Sequence, residues 1–263
     1  MRSTSWQDSK EAFGKDIIQD LYHQGMIRTW YRDNPDGWTL VSGLWSPLYI
    51  QLRSLPSYPA ILKKVGRALG QLVRHEISSA TTCIGIAMAG IPIATAIALH
   101  EGIPVGFTRK LDGVRNLTEF RRNIARYGEH ALVEGFFGDG DTIVLIDDLV
   151  TQFDSKLIAI EQVKIELLKR HVKNSTVADV VVLLDREQGA ERRATNYGIK
   201  LHSLIPFKTK GLPWLSEFLD AEEYDVLADY LAHPKKFQTQ TKQGELRKLA
   251  RTRRKNTRRT NKE

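Results

Sequence analysis

The 263-residue chain has a single cysteine, Cys83, so no disulfide can form within it. One thiol suits a reducing compartment such as the cytoplasm. Cys83 stands in an apolar, strand-like run, where a buried inert thiol is expected. No apolar run reaches the roughly 20 residues that cross a bilayer. Residues 1–15 also lack the apolar core of a secretory signal. Aromatic residues stop at Phe237, and acids are scarce beyond it. From residue 234 onward there are 12 bases against Glu245 and Glu263, whereas residues 1–233 carry 27 bases and 29 acids. The net charge of +8 therefore belongs to one end of the chain, and the body is nearly neutral. There is no internal repeat.

What remains is ordinary globular composition, 41% hydrophobic and 27% charged, enough for one good-sized core with a small addition. Apolar residues recur at helical spacing within 11–32 (Phe13, Ile17, Ile18, Leu21, Tyr22), with Gly25 as a stop signal. Asn34-Pro35-Asp36-Gly37 is a turn. Short strands are expected at 38–41 and 48–52, and an amphipathic helix at 59–77. A buried strand at 82–86 is followed by a loop, a helix over 93–100 and a strand over 102–107. Strand, loop, helix and strand in sequence indicate a parallel sheet covered by helices. Residues 109–127 show no convincing core element, although Leu117, Phe120 and Ile124 could form one short helical face, and they are rich in bases: Arg109, Lys110, Arg115, Arg121, Arg122, Arg126. Such a segment inside a compact domain reads as a lid or binding loop, or as a flexible insertion. A helix over 156–171, a strand over 178–184, a helix over 190–197, a strand over 200–204 and a helix over 219–231 complete the pattern. The domain is expected to span 1–233, and residues 234–263 read as a basic, disordered tail.

The chain is organised around residues 143–155, Ile-Val-Leu-Ile-Asp-Asp-Leu-Val-Thr-Gln-Phe-Asp-Ser. Four apolar residues form a buried strand, Asp147 and Asp148 are expected at its end, and a polar turn opens a helix. Ligands bind beyond the carboxyl ends of such strands, and a loop that opens a helix can hold a phosphate. Two carboxylates there suit a sugar diol or hydrated Mg²⁺. The same residues also read as a strand capped by two solvated acids.

Further stretches decide between these readings. They are residues 42–53 (Ser-Gly-Leu-Trp-Ser-Pro-Leu-Tyr-Ile-Gln-Leu-Arg), Gly90-Ile91-Pro92-Ile93-Ala94, Arg109-Lys110, and Tyr127-Gly128 with Val133-Glu134-Gly135. The Asp147-Asp148 loop, Leu183-Leu184-Asp185-Arg186-Glu187-Gln188-Gly189 and residues 198–204 complete the set. In order and register this set resembles the orotate phosphoribosyltransferases, over about residues 15–207. The resemblance implies the type I phosphoribosyltransferase fold, a parallel α/β core with a small hood built from N- and C-terminal segments. It implies the Mg²⁺-dependent reaction of phosphoribosyl pyrophosphate with orotate to give orotidine monophosphate and pyrophosphate, a step of pyrimidine biosynthesis. The metal would be held mainly through substrate, in a homodimer whose lids complete each other's sites. Carried onto this sequence, Asp147 and Asp148 would hold the ribose hydroxyls. The backbone amides of Val150, Thr151, Gln152, Phe153, Asp154 and Ser155 would cradle the sugar phosphate, and Leu149 would also belong to the phosphoribosyl pyrophosphate site. Arg109 and Lys110 would reach pyrophosphate, residues 87–90 would form the pyrophosphate loop, and Arg186 and Thr151 would contact orotate. Outside that resemblance, a salt bridge from Arg186 to Asp185 or Glu187 is the plain expectation.

The sequence departs from the family pattern at three places. The phosphate loop, usually Thr followed by small residues, is Thr151-Gln152-Phe153-Asp154-Ser155. Phe153 stands where the backbone must approach a phosphate. Asp154 sets a carboxylate beside a dianion, a repulsion of roughly 4 kcal/mol at about 4 Å and intermediate dielectric, unless Asp154 points outward or a cation lies between. The run between Arg109-Lys110 and Tyr127-Gly128 is longer than usual, and Ala125 stands at the position of the family's catalytic lysine. Gln51 and Ala89 also replace residues common in the family. These departures leave room for a phosphoribosyltransferase-like enzyme of another base, or a catalytically silent nucleotide-binding or regulatory protein. The run of bases over 247–259 suits nonspecific contact with nucleic acid through phosphate charge, or a solvated tail.

Overall fold

The computed structural model describes residues 5–40, 42–127 and 130–260. Val41, part of an expected strand, Gly128, part of the expected Tyr-Gly pair, and the last three residues lie outside them. The chain divides into two compact units, Met1–Ile17 with Arg53–Phe207, and Ile18–Leu52 with Lys208–Glu263. Helix α1 (Trp6–His23) runs across the division and ends before Gly25, whose φ of 67° suits a residue without a side chain.

The smaller unit is built from both ends of the sequence, as the implied hood is. Strands β1 (Ile27–Thr29), β2 (Trp38–Thr39), β3 (Trp45–Ser46) and β4 (Leu48–Ile50) form two antiparallel pairs, β1 with β4 and β2 with β3.

The larger unit holds the main sheet. Helix α2 (Pro59–Glu76) starts on a proline, whose missing N–H is not needed in a first turn, and buries Ile61, Val65, Leu69, Leu72 and Val73. Then come β5 (Thr82–Gly85), α3 (Gly90–Glu101) and β6 (Val105–Thr108). Helix α4 (Leu117–Asn123), β7 (Val133–Glu134), β8 (Thr142–Val150) and α5 (Asp154–Lys169) follow. Strand β9 (Thr176–Asp185), α6 (Ala190–Asn196) and β10 (Lys200–Pro206) close the unit. The strand order is β10-β9-β8-β5-β6-β7, parallel except for β7. Ile143 to Ile146 and Val180 to Leu184 are fully buried, as strands covered on both faces must be. Cys83 is buried among them, and burial pushes its thiol up to about 12, so it is inert at neutral pH.

Of two expectations about elements, one is met and one is corrected. The short helical face of Leu117, Phe120 and Ile124 forms, in α4 and the 3₁₀ turn that follows it. Asn116 caps α4 by accepting the Glu119 amide, and Phe120, at 1% exposure, joins a core cluster with Leu111, Leu132, Phe153 and Leu157. A tail disordered from residue 234 is not what the structure has. The smaller unit ends in α7 (Leu212–Trp214), α8 (Ala221–Ala232), a 3₁₀ turn (Pro234–Gln238) and α9 (Gln240–Thr260). Phe237, Leu246 and Ala250 are buried, and the Trp30 indole donates to the Leu246 carbonyl at 3.1 Å. Arg247 pairs with Asp36 at 2.6 Å and Arg253 with Asp220 at 2.8 Å. Three apolar anchors and a few local acids thus hold a stretch whose average composition is that of a solvated chain.

Candidate active site

A crevice forms in a parallel sheet where adjacent strands send their connections in opposite directions. Here that point lies between β5 and β8, since the chain leaves β5 toward β6 and leaves β8 toward β9. The carboxyl ends of these strands carry residues 87–90 and 147–155. Arg109 and Lys110 follow β6, and residues 185–189 follow β9. The topology therefore brings Arg109, Lys110, residues 147–155 and Arg186 to one edge of the sheet. Gly90 makes this possible locally: a Cβ there would lie 2.2 Å from the Ile146 carbonyl oxygen, so the 87–90 loop rests directly against β8.

Asp147 and Asp148 do not end the strand as expected. Strand β8 continues to Val150, which pairs with Asp185 of β9, and the acids sit within the last turns of pairing. Asp147 is 6% exposed, and its Oδ2 receives the Lys156 ammonium at 2.8 Å. Its Oδ1 accepts the Asp148 amide at 2.9 Å, and Asp148 Oδ1 accepts the Leu149 amide at 2.7 Å. Burial, and then the charge of Asp147, push the Asp148 carboxyl up to about 7. Lys156 also donates to the Leu149 carbonyl and, at 3.3 Å, to the Ser155 hydroxyl. Sequence reasoning missed this buried lysine. In the first turn of a helix it reads as a surface residue, and its only signal is its place among Leu157, Ile158 and Ile160.

The amides of Thr151, Gln152, Phe153, Asp154 and Ser155 donate to no backbone carbonyl among the described residues. Phe153 adopts φ 74°, ψ −2°, the left-handed conformation of a glycine, and caps α5 with its carbonyl. A bulky residue there costs about 1–2 kcal/mol. Its ring is 1% exposed in the core cluster, and burying a phenyl stabilises by about 1.5–3 kcal/mol. The ring thus points away from the loop's amides. Asp154 is met by a cation: Arg193 of α6 grips it with two hydrogen bonds, 2.9 and 2.5 Å long. Arg193 was not foreseen either, since it lies 39 residues away in the sequence.

Arg186 follows β9 and is 5% exposed. The expected alternative, a salt bridge from Arg186 to Asp185 or Glu187, does not occur among the described residues. The Asp185 carboxylate accepts the Glu187 amide at 2.8 Å instead, and burial raises the pKa of that acid. Nε and Nη2 of Arg186 have no acceptor among the described residues. Arg109 is half exposed, 3.9 Å from Glu134, and Lys110 is exposed. Thr151 is half-buried and Ser155 exposed, both on the loop.

No family model matches the chain. It is 36% identical over 171 residues to the uridine 5'-monophosphate synthase of Bos taurus, covering 65% of this chain and 32% of that protein. The chain thus spans about a third of the length of that relative. It is 32% identical over 186 residues to the orotate phosphoribosyltransferase of Saccharolobus solfataricus, covering 69% of this chain and 77% of that one. The solved UMP synthase of Leishmania donovani superposes with a TM-score of 0.67 at 26% identity, over 84% of this chain and 42% of that one. The fold is therefore that of the type I phosphoribosyltransferases, and the chain belongs to the orotate phosphoribosyltransferase family.

Proposed function

We propose that the protein transfers the phosphoribosyl group of phosphoribosyl pyrophosphate to orotate, giving orotidine monophosphate and pyrophosphate. The observation that carries this reading is Arg186, a nearly enclosed guanidinium with two unpaired donors at the ligand edge of the sheet. A planar two-pronged cation held dry and unpaired is suited to a carboxylate, which orotate supplies. The free amides of residues 151–155 suit the sugar phosphate, and Asp147 with Asp148 suits the ribose diol.

Cleavage at the anomeric carbon leaves an oxocarbenium-like sugar and a departing pyrophosphate. The acid pair faces the developing positive charge, and Arg109 and Lys110 meet the negative one. No group of three or more possible metal ligands occurs among the described residues. With Asp147 already paired to Lys156, the donor set fits a Mg²⁺ held mainly by substrate and water rather than by a protein cage. Bound in that way, the ion would neutralise charge on the leaving group.

Self-association belongs to the same reading. Met88, Leu99, Phe107 and Phe136 are exposed apolar side chains of the larger unit, with Phe136 at 85% exposure. In a homodimer, Arg109 and Lys110 would serve the partner's site. Among the described residues no helix is long and apolar enough to cross a membrane, and the single buried thiol suits the cytoplasm. Nonspecific nucleic-acid contact through the basic end of the chain belongs to the same reading, although Arg247, Arg251 and Arg253 are engaged by Asp36 and Asp220.

The test is pyrophosphate release by the purified full chain, with sedimentation velocity run on the same preparation. Turnover requiring phosphoribosyl pyrophosphate, orotate and Mg²⁺ together, in a sedimenting dimer, is the expected result. Release with another base and not with orotate would overturn the assignment of the base; no release with any base would overturn the activity.

A further inference from the structure

Residues 147–156 carry three acids, Asp147, Asp148 and Asp154, and one base, Lys156. That base is engaged by Asp147 at 2.8 Å. The loop that would receive an anion therefore has no free cation of its own, and Asp154 adds a carboxylate to it. The balance comes from another element. Arg193 of α6 meets both Asp154 oxygens, Nη1 to Oδ2 at 2.9 Å and Nη2 to Oδ1 at 2.5 Å. The turn before α6 sets its place. The Arg193 amide donates to the Gly189 carbonyl at 3.2 Å, and Gly189, at φ 103°, closes the turn that holds Arg186. The same turn thus presents Arg186 at the sheet edge and Arg193 to the loop. The Arg193 and Asp154 side chains remain 38% and 32% exposed, and an ion pair so exposed adds little to fold stability. Its charges matter more to an anion arriving beside them than to the fold.

We infer that Arg193 is a positioning residue: by pairing with Asp154 it neutralises the loop after β8 and fixes the start of α5, so that the loop can accept the phosphoribosyl donor. The inference rests on the proposed reaction, because it needs that loop to hold the donor. Arg193 acts through Asp154 and need touch no substrate. A planar fork that meets both oxygens of a carboxylate fixes its direction as well as its charge. The two charges are thereby linked, and their losses have opposite consequences. Removing Arg193 leaves a bare carboxylate beside the donor's phosphate. Removing the charge of Asp154 frees the guanidinium to attract that phosphate. Removing both leaves the loop neutral again. A pair that only braced the structure would behave differently, since either loss would break the same brace and act in the same direction.

Isothermal titration of the full chain with phosphoribosyl pyrophosphate and Mg²⁺, beside the assay of orotate-dependent pyrophosphate release, tests it. Arg193→Ala is expected to weaken donor binding at least about tenfold, the repulsion of one unmasked carboxylate. Asp154→Asn should tighten binding about threefold, and the double variant should return to within about threefold of wild type. Arg193→Lys keeps the charge and should recover most of the loss. Arg192→Ala removes an equal charge one residue away, from an exposed side chain with no bond to Asp154 among the described residues, and should cost less than Arg193→Ala. Both members of the pair are partly exposed, so all these variants are expected to fold, and melting close to wild type confirms it. Weaker binding in both single variants overturns the inference, since that is the behaviour of a brace. An equal loss in Arg192→Ala and Arg193→Ala overturns it as well, since that is the effect of bulk charge. A wild type that binds no phosphoribosyl pyrophosphate overturns it together with the proposed reaction. The two can also fail apart. Opposite signs in a protein without orotate-dependent turnover would keep the role of Arg193 and sink the reaction; turnover with donor binding indifferent to Arg193 would do the reverse.

Discussion

Arg186 is nearly enclosed, yet two of its donors reach nothing among the described residues. An unpaired buried charge destabilises a fold, so its side chain is a burden on the free protein and an asset only to a ligand. This sets stability against binding at one residue. Arg186→Met keeps most of the stem and removes the charge. Melting of the ligand-free variant is expected to rise by a few degrees, while affinity for orotate falls at least about a hundredfold, the loss of a paired and dry charge. A melting temperature that drops would mean that Arg186 is held by partners of its own. Residues of this kind were legible in the sequence because the turn Asp185-Arg186-Glu187-Gln188-Gly189 is local and distinctive. Lys156 and Arg193 were not, because their meaning depends on what they face. Nothing near residue 156 announces a buried partner, and nothing near residue 193 points back to Asp154. The obstacle seen at Phe153 was also a matter of direction, since the sequence gives the size of a ring and not where it points.

Elements divide in the same way. Strands β5, β8 and β9 are apolar runs bounded by turns, and their sequence needs no context to be read. Helix α4 rests on one deeply buried ring, Phe120, in a segment dense with arginine. Helix α9 was the hardest, because twelve bases outweigh its anchors in any average over the last thirty residues. Its first half is nonetheless docked: Leu246 is 3% exposed and its carbonyl accepts the Trp30 indole, itself fully buried. Leu246→Asp places a carboxylate in that contact and removes a buried leucine. The smaller unit should lose about 2–4 kcal/mol in urea unfolding. Leu246→Met, which keeps the volume, should lose under about 1.5 kcal/mol. Equal stability of all three proteins would show that the helix is not docked in solution.

For the molecule as a whole, stability against pH is set by which buried groups hold protons. Glu76 gathers Lys10 at 2.7 Å, the Trp6 indole at 3.1 Å and His202 at 2.9 Å, and His202 also meets Asp179 at 2.9 Å. Burial alone would raise the Glu76 carboxyl; the bonds from His202, Lys10 and Trp6 outweigh it and hold the group down at about 2. Its contribution is present above its ordinary value of 4.5 and is lost only as pH falls toward 2. Burial would likewise lower the His202 imidazole, but the two carboxylates raise it. That contribution is complete below the ordinary 6.5 and is lost as pH rises through the folded value. Asp148, raised to about 7, and the raised Asp185 and Glu223 have the same sign. Each keeps a proton in the folded state that the unfolded chain gives up, so each costs stability as pH climbs from about 4. Net charge works the other way, since self-repulsion falls as pH approaches the isoelectric point near 9.5. That term is weak here, because the excess positive charge lies at the end of the chain, the body is nearly neutral, and salt at 0.15 M screens beyond about 8 Å. The proton terms should therefore win, with the ligand-free protein melting several degrees lower at pH 8 than at pH 5.5 in 0.15 M salt. His202→Gln, which keeps a hydrogen-bonding side chain without the titration, should melt lower at pH 5.5 and show a shallower decline. A melting temperature that rises steadily across the interval would reverse the ranking of burial over net charge.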